Sequence, residues 1–175
     1  MRGKNGFLRV TSKARMAAAE ASARANRTSV TRRERLRRHR TELSRHLSRS
    51  RHSGADLRTL ADGIAPLLVR LMHADRGFIR LFAEGGADEH LGVTGLDSGA
   101  TIGITERAFM KRLLAGRHVL DGGTLLAPII YRNRTIGFFC LNRHRAPKSF
   151  TDDEGHFLIG VGQALAALTS RAFQA

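Results

Sequence analysis

Residues 125–172 restrict the fold most, because they read as a hairpin followed closely by a capped helix. Two runs rich in β-branched and aromatic residues, 126–131 and 135–141, flank a short polar segment at 132–134. Asn133 in that segment tolerates the positive φ that a tight hairpin turn requires. The pattern therefore predicts two antiparallel strands joined by a very short turn.

A helix is predicted to follow the hairpin. Its start is marked by residues 150–154, which are Phe-Thr-Asp-Asp-Glu. Thr151 and Glu154 have the spacing of a capping box, in which the two residues satisfy amide donors at the helix start. The two aspartates between them lie where the helix dipole favours negative charge. A long helix is therefore predicted from this point to about residue 172.

Upstream of the hairpin, the chain alternates between helical and strand patterns. Helix 106–115 has Thr105 as its expected N-cap and Gly116 as its C-cap. A further helix is predicted from about residue 57, and Pro66 either kinks this helix or begins a new one. Strands are predicted at 78–83, 90–94 and 118–120. This order predicts an α+β fold, an antiparallel sheet with the N- and C-terminal helices packed on one face.

The same residues carry a family resemblance. Residues 127–172 contain an apolar strand, a basic turn, a glycine-bearing strand, an Asn-Arg pair at 142–143 and the F-T-x-x-E run at 150–154. With the A-D-R-G turn at 74–77, they resemble a GAF domain over about residues 55–173. The resemblance implies the same architecture by a separate route, together with a sensory or regulatory role.

The resemblance also implies a ligand pocket on the sheet face opposite the terminal helices. The residues able to line it are Phe78, Arg80, Phe82, Phe109, Leu113 and Phe138. Arg80 lies between two aromatics and needs a partner if it is buried, although it also fits an exposed or ion-paired strand position. GAF domains usually have a longer lid where only residues 121–124 remain here, and the N-K-x-D signature of cyclic-nucleotide binders is absent. We therefore expect a reduced pocket.

Both terminal helices carry an apolar seam with alternating steps of three and four residues. We expect these seams to form a homodimer interface, and the alternative is that they pack only on their own sheet. The seam residues are Leu57, Leu60, Ile64, Leu67 and Leu71 in the first helix, and Leu158, Val161, Leu165, Leu168 and Ala172 in the last.

Positive charge is concentrated at the N-terminus. Residues 1–58 hold 17 Lys/Arg and 4 Asp/Glu, a net +13, whereas residues 59–175 hold 13 and 11, a net +2. We expect residues 1–54 to form a basic arm, disordered over 1–13, helical in part and broken at 50–54, and residues 55–175 to form the domain. One function for this arm is to bind the phosphates of a nucleic acid. The alternatives are that the arm is a transit peptide or an inert tail. The arginines concerned are Arg32, Arg33, Arg35, Arg37, Arg38 and Arg40.

No pattern in the sequence indicates catalysis. Cys140 is the only cysteine, excludes an internal disulfide and lies mid-strand among aromatics, as a buried core thiol does. GAF-like methionine sulfoxide reductases use several cysteines, and bilin-binding members have His after the cysteine, where this chain has Leu141. The eight histidines show no zinc-site spacing. We therefore expect no enzyme activity, metal or cofactor.

These observations lead to one main expectation for function. The chain is predicted to be a cytoplasmic, non-enzymatic GAF-like sensory domain, without a membrane span, that works as a dimer with a separate signalling protein. The alternative is a nucleic-acid-associated protein that binds phosphates through its arginine-rich arm.

Overall fold

A computed structural model describes residues 5–52, 57–82, 89–94, 107–143 and 149–168 of the chain. It contains two compact units, Met1–Arg38 and His39–Ala175. The domain boundary expected at residue 54 stays a prediction. The elements are α1 (Asn5–His52), α2 (Leu57–Leu71), β1 (Arg76–Leu81), β2 (Glu89–Thr94), α3 (Arg107–Leu114), β3 (Val119–Asp121), β4 (Thr124–Tyr131), β5 (Arg134–Asn142) and α4 (Asp152–Leu168).

The five strands form one antiparallel sheet in the order β2-β1-β5-β4-β3. Helix α2 packs on β1 and β2, and α4 packs on β4. Gly162 brings α4 close to the sheet, since a Cβ at that position would lie 3.1 Å from the Ile129 Cα and 3.2 Å from the Phe139 ring. The predicted α+β fold, with both terminal helices on one face, is confirmed.

The β4–β5 hairpin has the very short turn that the sequence predicts. Tyr131 pairs with Arg134, so only two residues form the loop. Both have positive φ, 46° at Arg132 and 63° at Asn133. This is the mirror-image turn that matches the twist of antiparallel strands, and the positive φ of Arg132 was not expected from its side chain.

Helix α4 begins with the contact between Thr151 and Glu154 that the predicted capping box requires of the glutamate. One oxygen of Glu154 accepts hydrogen bonds from the Thr151 backbone N–H at 2.9 Å and from the Thr151 hydroxyl at 3.0 Å. The Glu154 carboxylate therefore accepts hydrogen bonds from both donors of Thr151, the residue that precedes the helix.

Helix α2 is one continuous helix with Pro66 inside it, so the alternative of a fresh helix at Pro66 is wrong. His73, with φ of 49°, follows the helix and completes its C-terminal cap. Two backbone hydrogen bonds close that cap, from His73 N–H to the Arg70 carbonyl at 3.2 Å and from Ala74 N–H to the Val69 carbonyl at 2.9 Å.

Helix α1 differs from the sequence prediction at both ends. It begins at Asn5, within residues expected to be disordered, and continues to His52, within the expected break. Helix propensity does not explain the first difference, since residues 5–13 contain one Arg and no Ala and include Gly, Val, Thr and Ser. The rest of the expected break, the Thr105 cap and the loop after β1 lie outside the described residues.

Candidate functional site

An aromatic cluster lies between α3 and the sheet. Phe138 is at its centre and fully buried, with ring centroids 6.1 Å from Phe78 and 6.0 Å from Phe82. We call this set the α3 cluster. Its members are Phe78, Leu113, Val119, Leu126, Phe138 and Cys140, with Phe82, Phe109 and Met110 packed at its edge and partly buried.

The α3 cluster contains five of the six residues proposed from the sequence to line a ligand pocket, all except Arg80. Arg80 is half-buried and lies opposite Phe138 in the register of β1 and β5. Strand alternation made this grouping predictable, because every second residue of β1 faces the same side of the sheet. Ligand binding by these residues stays a prediction.

The connection between β3 and β4 is short, as expected from the sequence. Asp121 pairs with Thr124, and the two residues between them, Gly122 and Gly123, have φ of 47° and 93°. A two-residue turn is too short to fold over the α3 cluster. The cluster is therefore closed by packed side chains on this side, with no lid from β3–β4.

Cys140 lies inside the α3 cluster with no exposed surface. Burial raises the pKa of its thiol to about 12, against a smaller opposing effect of Arg76. Thiol chemistry requires the thiolate, which this environment disfavours strongly at neutral pH. The structure thus places Cys140 as a buried core residue, as predicted.

A buried ion pair joins the end of β5 to the start of α4. Arg143 Nη2 lies 3.3 Å from Glu154 Oε1, and their side chains are 7 % and 3 % exposed. The guanidinium also donates to the carbonyls of Met72 and Ser149, and its Cζ lies 3.9 Å from the centroid of the Phe150 ring. The Asn-Arg and F-T-x-x-E motifs therefore meet here, and the site is structural: it ties α2, β5 and α4 together.

A second polar group, which no sequence pattern indicated, lies at the start of α4. His118 Nε2 is 3.0 Å from Asp152 Oδ1, and the ring of His156 is 4.8 Å from that of His118. The His118 hydrogen bond is the main cause that lowers the pKa of Asp152. No sequence signal joins His118 to residues more than thirty positions later, because only the fold brings β3 and α4 together.

Residues 39–49 of α1, which we call the anchor segment, lie against α2 and α4. The His39 ring is 6.3 Å from that of Phe157, and Glu42 is ion-paired with Arg70. His46 lies so close to Gly63 that a methyl group there would come within 2.8 Å of Nε2. The leucines of this segment, Leu43 and Leu47, are 2 % and 6 % exposed.

The anchor segment changes how the two seams are understood. In a single chain Leu60, Ile64, Leu71, Leu158, Val161 and Leu165 are all buried, and Leu67 and Leu168 are half-buried. The side chain of Leu57 and all of Ala172 lie outside the described residues. The seams therefore have intramolecular partners, including the sheet, and a dimer through them stays a prediction.

The arginines proposed to bind nucleic acid are mostly exposed. Arg33, Arg37, Arg38 and Arg40 are exposed, whereas Arg32 and Arg35 are half-buried. Within the described residues, no group of three His, Cys, Asp or Glu side chains is arranged to hold a metal ion. The helices described are also all too short or too polar to cross a membrane.

Comparison with solved structures identifies the fold. The GAF domain of the Acinetobacter phosphoenolpyruvate-protein phosphotransferase superposes with a TM-score of 0.62 at 15 % identity, covering 78 % of this chain and 95 % of that one. The equivalent Coxiella burnetii domain gives 0.62 at 14 %, covering 77 % and 94 %. Free methionine-R-sulfoxide reductase from Neisseria meningitidis gives 0.63 at 13 %, covering 78 % and 90 %.

At these identities the comparisons establish the fold alone, and the GAF-like fold inferred from the sequence motifs is confirmed. No protein-family model matches the sequence, and no curated protein matches it. The GAF-like fold is therefore established by the three-dimensional architecture, in agreement with the few sequence motifs described above.

Proposed function

We propose that this chain is a non-enzymatic regulatory module that senses a small ligand at the α3 cluster and responds through its helices. One observation carries the proposal. Phe138 and Phe139 are neighbours in β5, yet Phe138 lies in the α3 cluster and Phe139 contacts α4 at Gly162. Only one layer of sheet therefore separates the side chains of the α3 cluster from α4, and a ligand that displaces those side chains acts on the helix across that layer.

The ligand proposed for the α3 cluster is small and largely apolar. The centre of the cluster is already filled, since Leu113 and Phe138 have no exposed surface. Phe82 and Phe109 are only partly buried, so they are the side chains that a ligand displaces most easily. Arg80, half-buried on the same side of β1, supplies one cation for a polar or anionic group of the ligand.

The response proposed is release of the anchor segment from α2 and α4. This segment is held mainly by two buried leucines, an exposed ion pair and two half-buried histidines. Its release exposes apolar residues of both seams to water, and a second copy of the chain then covers them. The homodimer proposed from the seam spacing is accordingly the released state.

Two features support the absence of catalysis within this proposal. The thiol of Cys140 is buried and has a raised pKa. In the His118–Asp152 pair, the hydrogen bond with His118 is the main cause that lowers the pKa of Asp152, which makes this carboxylate a weak general base at neutral pH.

A thermal-shift screen of nucleotides and small metabolites, followed by hydrogen exchange, tests the proposal. We expect a compound that raises the Tm of the wild type, loses this effect in Phe109→Ala and keeps it in Val93→Ala, an exposed position in β2. The same compound should increase exchange in the anchor segment. A screen without such a compound, or a shift equal in both variants, contradicts the proposed sensor.

A further inference from the structure

The Met1–Arg38 unit carries an unusual density of arginine. Residues 14–38 contain eight arginines, no lysine and two glutamates, all within helix α1. At 100° per residue Arg24, Arg27, Arg35 and Arg38 fall within about 80° of one another on the helix surface. They extend over 14 residue steps, or about 21 Å at 1.5 Å per residue.

We propose that this arginine face binds the phosphate backbone of a nucleic-acid duplex. Duplex DNA carries about one negative charge per 1.7 Å of axis, so about twelve phosphate charges lie along a 21 Å stretch. Arginine suits this partner because its planar guanidinium makes paired hydrogen bonds to phosphate oxygens. Arginine supplies every cation of residues 14–38, and its fixed fork of donors matches phosphate oxygens more specifically than net charge alone does.

The apolar surface of this unit favours nucleic acid over a lipid membrane. A helix that lies in a membrane surface needs a broad apolar face with aromatic or leucine side chains. Among the described side chains of this unit, the large exposed hydrophobic residues are Met16 and Val30. Over residues 14–38, two isolated residues give too little apolar area to insert, whereas phosphate binding needs none.

The arginine face is expected to contact phosphates without reading the sequence of bases. The charge of the arm acts on every phosphate alike, and residues 59–175 add a net charge of only +2. The binding expected is therefore strongly dependent on salt and similar for unrelated sequences. Duplex DNA and duplex RNA share the phosphate chemistry, and comparing them shows which one the helix fits.

Fluorescence anisotropy on the full-length chain with labelled 20-base-pair DNA and RNA duplexes tests this inference. Arg24→Gln, Arg27→Gln and Arg38→Gln together remove three exposed cations from the arginine face. The matched control combines Lys111→Gln, Arg132→Gln and Arg134→Gln, three exposed positions near α3 and in the hairpin. Each triple variant removes three charges, which takes the net charge from +15 to +12.

We expect the arm variant to weaken binding strongly and the control variant to leave it almost unchanged. The slope of log K against log salt should fall in magnitude by about 2.7 in the arm variant, since each lost phosphate contact contributes about 0.9. Equal losses in the two variants overturn the inference, as does an unchanged slope. Binding to phosphatidylserine vesicles without binding to either duplex also overturns it, in favour of a membrane.

Discussion

Replacing Glu154 with Gln should destabilise the domain far more than its single changed atom suggests. Glu154 is 3 % exposed, and its oxygens contact both Arg143 and Thr151. Glutamine keeps the shape and one carbonyl oxygen, so it still accepts a hydrogen bond from Thr151. It removes the negative charge that lies beside the buried guanidinium of Arg143.

The expected magnitude follows from the burial of this pair. Breaking a buried ion pair on one side costs about 3–5 kcal/mol, and the hydrogen bond that Gln keeps returns about 1 kcal/mol. We therefore expect Glu154→Gln to lower the free energy of unfolding by about 3 kcal/mol. At about 2–4 °C per kcal/mol for a chain of this size, the Tm should fall by roughly 6–12 °C.

Urea denaturation followed by far-UV circular dichroism measures this change, with the m-value expected to stay constant. Glu42→Gln is the matched control, because its pair with Arg70 is exposed, at 45 % and 69 % of the two side chains. Exposed pairs contribute about 0–1 kcal/mol. A Glu154→Gln variant within about 0.5 kcal/mol of the wild type, or equal to Glu42→Gln, refutes the structural role assigned to the buried pair.

Three further predictions concern single residues. Cys140 should react with a thiol reagent only slowly in the native protein and rapidly in urea, because it is buried and burial raises the pKa of its thiol to about 12. Fast labelling of the native protein contradicts its core position. Gly155→Ala should lower the free energy of unfolding by about 1–3 kcal/mol, because the added methyl group overlaps the His118 ring. Gly160→Ala is the control, since the methyl group there meets only the flexible end of an arginine side chain. Equal effects in the two variants contradict this packing. The hydrogen bond with His118 is the main cause that lowers the pKa of Asp152 from its usual value, so the stabilising effect of this contact is present at neutral pH and is lost as the pH falls through the lowered pKa. The Tm of Asp152→Asn should therefore fall less steeply below pH 4 than that of the wild type, and parallel curves contradict the His118 contact.

Local chemistry made much of the fold predictable. The hairpin turn follows from Asn133, the start of α4 follows from Thr151 and Glu154, and the end of α3 follows from Gly116, whose φ is 74°. Each depends on residues close together in sequence. Strand alternation likewise places Phe78 and Phe82 on one side of β1, because counting residues along a strand fixes the side of the sheet that each one faces.

Long-range contacts were not predictable in the same way. Seam spacing shows that the first and last helices each have an apolar face, but it does not show what covers that face. The anchor segment covers part of those faces, and the only apolar pattern that marks this segment in the sequence is Leu43 and Leu47 in a basic helix. The His118–Asp152 contact was missed for the same reason, since its partners are distant in sequence.

Light scattering of the full-length chain tests the central claim, that the anchor segment covers the helical seams and its release permits a dimer. Leu43→Asp with Leu47→Asp should release the segment, and Ser44→Asp with Ser48→Asp changes the exposed side of the same helix as the control. We predict a wild type and control near the monomer mass of 19.3 kDa and a folded anchor variant of about twice that mass. A dimeric wild type, or an anchor variant that remains folded and monomeric at high micromolar concentration, contradicts the claim.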